Sequence, residues 1–165
     1  LIFLFAVFFL YCQTKILQAS KGISSWRQKE IPILLLAMGL YEGLALFSLI
    51  VYFADKLVFY HMSVSLLVLL GATNTFILAR YSRKVSSKVN PSSRKILTKA
   101  IPKLQVLGFI IPSVILAIYM MLEIFTALPY LLGLVLIIVN CIYFKFILIV
   151  KAGHQQGFIL PKLQF

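Results

Sequence analysis

Acid is the scarcest chemistry in this chain. Four Asp and Glu stand against sixteen Lys and Arg in 165 residues, giving a formal charge of +12, and charged residues of both signs make up only 12% of the sequence. Cysteine is nearly missing: Cys12 and Cys141 both sit in apolar runs, where small buried hydrophobes are expected rather than a disulfide or a metal pair. There is one tryptophan, Trp26. No CxxC, HExxH, Walker glycine loop or GxSxG occurs, so the short motifs of redox, metalloprotease, nucleotide and serine-hydrolase chemistry are not there to be read. No acid–base cluster falls at one depth, which puts a membrane-embedded lipid or quinone enzyme last among the possible functions.

Apolar residue is what the chain has in excess. It is 62% hydrophobic with a mean hydropathy of +1.02, which excludes an ordinary soluble domain. The apolar runs approach about 20 residues, the length of a bilayer-spanning helix rather than of a barrel strand. The expected fold is an all-α integral membrane protein, a single transmembrane domain over 1–165 forming a five-helix polytopic bundle. Spans are expected at about 1–17, 31–53, 60–80, 104–125 and 129–150, with a basic inner-side loop at 81–103 and an interfacial tail at 153–165. The first segment resembles a signal-peptide core, but no basic residues precede it and no small-residue cleavage site is evident, so an uncleaved helix is expected. Pro32, Pro102 and Pro129 read as helix starts, and Pro112 as a kink inside the fourth span. Within the basic loop, the start is open to being an extension of the third helix, and Asn90-Pro91-Ser92-Ser93 reads as a turn followed by a new helix start.

Charge sets an orientation. With five spans, all basic residues except Lys56 fall on one side: Lys15, Lys21, Arg27 and Lys29 in the first connection, Arg80 to Lys103 in the third, and Lys145, Lys151 and Lys162 near the end. The positive-inside rule then gives N-out/C-in, with the basic loops on the cytoplasmic, matrix or stromal side of a plasma membrane or an energy-transducing organelle inner membrane. Arg80, Arg83, Lys84, Lys88, Arg94, Lys95, Lys99 and Lys103 are expected to meet anionic lipid headgroups or an acidic partner. A short loop tied to the membrane at both ends is a poor nucleic-acid binder, so no nucleic acid is expected.

Glu42 lies in the middle of the second apolar run, where a carboxylate needs a partner, a proton or an ion. Gly39, Gly43 and Ala45 surround it with little bulk and leave room for a neighbouring helix. It reads either as an ion- or proton-carrying group or as a protonated or hydrogen-bonded lock between helices. Asn74 and Asn140 are the other polar residues within spans, expected to pack between helices and open to pairing with Glu42. His61 and His154 fall near opposite membrane faces, about 30 Å apart, so they do not ligate one haem. Asp55 and Glu123 sit near the outer interface, where charge costs little. No metal or cofactor is expected in this chain alone, whereas bound lipids are.

Leu34–Val51 (LLLAMGLYEGLALFSLIV) resembles the carboxylate-bearing helix of rotary ATPase proteolipid (c-type) subunits. By that resemblance Glu42 is the proton or sodium site. Those subunits pair this helix with a glycine-rich one, whereas Leu1–Leu17 contains no glycine, and the three later spans and the basic loop have no counterpart in the simple hairpin form. The expected function is a non-catalytic membrane subunit of a larger ion- or electron-transferring complex, in contact with other membrane subunits and anionic lipids. The alternative is a small ion- or proton-coupled transporter using Glu42, although no inverted repeat is evident.

Overall fold

The computed structural model describes residues 1–19, 23, 25–53, 60–88, 91–121 and 127–151, with only the backbone given for 2–3, 60–61, 85–88, 91–92 and 127. Among these residues the chain is helical apart from residue 1, residue 23 and the turn at 25–29, with no strand. Its elements are α1 (Ile2–Ala19), α2 (Glu30–Phe53), α3 (Tyr60–Lys88), α4 (Pro91–Gln105), α5 (Ile111–Met121) and α6 (Ala127–Phe146). A wide π-helical turn, Val106–Ile110, joins α4 to α5 in one rod, and a second, Ile147–Lys151, extends α6. Four of the rods are long and apolar enough to cross a membrane, namely Glu30–Phe53, Met62–Lys84, Ser93–Met121 and Leu128–Lys151, while α1 is a shorter apolar helix. This is the composition of a multi-pass membrane protein.

The four long rods form a closed ring of neighbours. α2 packs on α3 and α6, and α5 completes the ring by packing on α3 and α6. α1 docks outside the ring, on α2. The core is a column of fully buried side chains that includes Leu34, Met38, Tyr41, Leu67, Phe109, Leu134 and Phe144. Outward faces carry exposed Leu, Ile, Val and Phe on every rod, for example Ile50, Leu69, Val114 and Val139. Such a surface is stable in acyl chains and not in water. Because lipid is as apolar as the core, close packing and internal hydrogen bonds hold the ring together rather than water exclusion. Several span hydroxyls bond to their own helices: Ser48 donates to the Leu44 carbonyl at 2.7 Å and Thr73 to Leu69 at 2.9 Å.

The structure revises several boundaries. The expected loop at 81–103 is mostly helix: α3 runs on to Lys88, and α4 begins at Pro91, where a missing N–H costs nothing. The fourth rod therefore begins well before 104, and Pro102 lies inside α4 rather than at a helix start. The reason is the apolar stripe Leu97, Ile101 and Leu104, which is buried on both sides of the proline, so continuing the helix retains that packing at the loss of one hydrogen bond. Pro112 falls just after the π turn rather than at a simple bend. It has no N–H for the Gly108 carbonyl, and the preceding residue, Ile111, bonds five residues back to the Val106 carbonyl. Asp55, Lys56, Asn90, Glu123, His154, the tail 153–165 and the end of the fourth span beyond Met121 lie outside the described residues.

Candidate functional site

The middle of α2 turns two kinds of chemistry into the bundle. Tyr41 faces the core and is fully buried, while Glu42, the next residue, turns toward α6. At 1.5 Å per residue, about 16–18 Å of α2 lies on either side of Glu42. Its carboxylate accepts a charge-assisted hydrogen bond from the Lys145 ammonium. The Glu42 side chain is 16% exposed and that of Lys145 33%. In an apolar surrounding that remaining surface meets little water, so each charge depends on the other.

Lys145 is thus the partner of Glu42, and neither Asn74 nor Asn140 is. The lysine was readable as one more inner-face charge, yet it lies inside the Leu128–Lys151 rod. The signal that identifies it is simple: it is the single charged residue between Pro129 and Val150, as Glu42 is between Ile31 and Phe53. Two isolated opposite charges within spans of one chain are natural partners.

A line of polar groups runs through the ring beside this pair. Asn74 is fully buried and joins α3 to α2 by donating to the Ala37 carbonyl at 3.3 Å, and it also donates to Leu70 at 3.0 Å. The Tyr41 and Ser113 hydroxyls converge over Gly71, where the Tyr41 oxygen lies 3.1 Å from the position a Cβ would take and the Ser113 oxygen closer still. The Asn140 amide lies directly on Gly108, and a Cβ at residue 108 would overlap it. Gly71 and Gly108 are therefore contact points that no side chain can fill. Oδ1 of Asn74 and Nδ2 of Asn140 are buried with no hydrogen-bond partner among the described residues. The Tyr41 and Phe109 rings, with centroids 5.8 Å apart, close the line from the side.

The expected small-residue face of α2 divides. Ala45 is fully buried in the ring. Gly39 packs on the Leu10 side chain of α1, whereas Gly43 has open space before it and lines an apolar groove of about 410 Å³ between α1 and α2. α1 and not α6 packs on Gly39, while Glu42 pairs across to α6.

Each end of the ring is tied by aromatic hydroxyls and one indole. Trp26, in the turn before α2, donates Nε1–H to the Leu148 carbonyl at 2.9 Å, within the π turn that ends α6. Tyr81 donates to the Ser25 carbonyl at 3.3 Å, and Lys84 pairs with Glu30. At the opposite end Tyr130 donates to the Ser48 carbonyl at 3.3 Å and stacks on Tyr119, with centroids 5.7 Å apart. Of the basic residues, Arg80 lies over the Phe76 ring at 5.8 Å, Arg83 and Lys84 follow it one turn on in α3, and Arg94, Lys95, Lys99 and Lys103 lie along α4. Lys88 is described by its backbone alone.

No protein family, curated protein or solved structure matches this chain. The likeness of Leu34–Val51 to a proteolipid carboxylate helix therefore rests on those residues alone.

Proposed function

We propose that this chain is a non-catalytic membrane subunit of a larger ion- or electron-transferring complex, spanning the bilayer five times, N-out and C-in. The observation that carries this reading is the Glu42–Lys145 pair. A carboxylate that carries protons or cations must exchange them, whereas one held by a fixed ammonium serves as a joint between α2 and α6. The exterior supports the same reading. α1 exposes Leu4, Phe5, Phe8 and Phe9 and leaves Gly43 uncovered, a surface suited to further helices. Purification in mild detergent tests it: co-purifying membrane subunits at fixed stoichiometry are expected, and a monomer or homo-oligomer alone contradicts it.

The orientation rests on the charge bias, with Lys145 withdrawn from the count because it belongs to the interior pair. Single cysteines at Phe53 and Arg83, in a background without Cys12 and Cys141, are expected to label from opposite faces. Labelling of both from one face refutes the arrangement.

The transporter reading is favoured by one observation, the polar line Tyr41, Ser113, Asn74 and Asn140 inside the ring. Proton flux in reconstituted vesicles that is abolished by Glu42→Gln would establish it in place of the subunit reading.

A further inference from the structure

α4 and the end of α6 enclose a groove of about 470 Å³ whose rim is made of lysine. Lys95, Lys99 and Lys103 stand at successive i, i+4 positions of α4, and Lys151 faces them from the π turn that extends α6. Tyr143 offers a hydroxyl on the α6 side, and Ile96, Ala100 and Ile147 form the apolar floor. No carboxylate among the described residues lines the groove. The two acids among the described residues, Glu30 and Glu42, are committed to Lys84 and Lys145. Like charges at i, i+4 repel, so three in series with a fourth opposite destabilise the bare protein and favour an anion between them.

The surroundings say which anion. Toward the middle of the rods the groove gives way to exposed apolar side chains: Val106, Leu107 and Ile110 follow Lys103 on one wall, and Val139, one turn before Tyr143, follows on the other. A soluble phosphate has no use for such a track, and an acidic peptide gains little from one that lies within the spanning rods. A phospholipid uses both parts at once, with its headgroup on the lysines and its acyl chains along the track. Basic pockets between membrane helices at the inner face have the chemistry of multiply charged headgroups. We propose that this groove is a specific site for a phospholipid whose headgroup carries two or more negative charges. The proposal rests on the chain being membrane-embedded, but not on its belonging to a complex.

Trp26 is the reporter. It is the only tryptophan, and its indole is bonded to Leu148, the residue after Ile147 of the groove floor. The protein is reconstituted into phosphatidylcholine vesicles containing brominated-acyl cardiolipin, or brominated-acyl phosphatidylglycerol at the same total charge, and quenching of Trp26 is titrated. Cardiolipin is expected to quench at the lower mole fraction. Lys99→Gln with Lys103→Gln is expected to weaken this roughly thirty-fold, since each lysine near a headgroup contributes about fivefold. Arg27→Gln with Lys29→Gln removes the same charge beside the tryptophan but outside the groove, and is expected to leave the titration within about twofold. Millimolar inorganic phosphate is expected not to relieve quenching. Equal quenching by the two lipids, equal loss in the two variants, or relief by inorganic phosphate each overturns the proposal. Unchanged Trp26 emission in plain phosphatidylcholine shows that a variant has folded. Failure of lipid selectivity in a well-folded chain leaves the subunit reading standing, because partner capture is measured separately.

Discussion

The chain contains two described lysine–glutamate pairs with the same chemistry and different surroundings. Lys84–Glu30 closes the end of the bundle; the Lys84 side chain is 45% exposed and that of Glu30 12%. Lys145–Glu42 joins the middle of α2 to the last turn of α6. At the end of the bundle, water and salt solvate the lysine when the pair opens, and Glu30 keeps Arg80 as a second nearby cation, so losing the pair costs little. Between α2 and α6, an opened pair leaves Glu42 facing hydrocarbon at mid-span, so the carboxylate needs its lysine even if the pair as a whole adds little stability. The difference teaches that position decides what an ion pair is for: one trims an interface, and the other dictates which helices are neighbours.

Removing one partner of the inner pair is expected to have the largest effect. Lys145→Met leaves Glu42 unpaired and should lower stability in detergent by about 3 kcal/mol, read by thermal or denaturant unfolding. The next effect concerns the polar line beside that pair. Gly108→Ala puts a methyl group where the Asn140 amide lies and should cost about 1–3 kcal/mol, with much of the loss recovered when Asn140→Ala is added. Trp26→Phe keeps the ring but loses the donor to Leu148, and should cost about 1 kcal/mol, with faster hydrogen exchange in the last turn of α6. The end pair comes last. Lys84→Gln should cost less than about 1 kcal/mol, and the remaining effect should fade at high salt. A loss at Lys84 equal to that at Lys145 would show that the two surroundings do not differ as described.

Much of the architecture is legible in composition. Runs of about 20 apolar residues broken by lysine-rich connections specify helices and little else. Boundaries were harder at the basic stretch. The start of α4 is legible in the turn signal Asn90-Pro91-Ser92-Ser93. The helix buries only one stripe, however, Leu97, Ile101 and Leu104, and its lysines dilute the periodicity that would mark it as continuous with the fourth span. Pro102 misled for a related reason, since its helix-breaking tendency is local and the packing that overrides it is tertiary. Glu42 was legible as a residue in need of a partner, because a lone charge in a long apolar run has few options. Its partner was legible in principle but hidden by proximity to the inner-side lysines. The contacts at Gly71 and Gly108 could not be read at all, since they depend on which helices face one another. The division of Gly39 and Ala45 between α1 and the ring interior depends on the same unknown.

The pairing of Glu42 with Lys145 is the centre of the account, and a double-mutant cycle over Glu42→Gln and Lys145→Met tests it most directly. The two single variants and the double variant are unfolded under one set of detergent conditions, and the coupling free energy is taken from the difference. The expected result is that each single change destabilises the protein while the double variant recovers most of the loss, a coupling of about 1.5–3 kcal/mol. Losses that simply add, to within about 0.5 kcal/mol, would contradict the pairing and return Glu42 to the role of a free mid-membrane carboxyl.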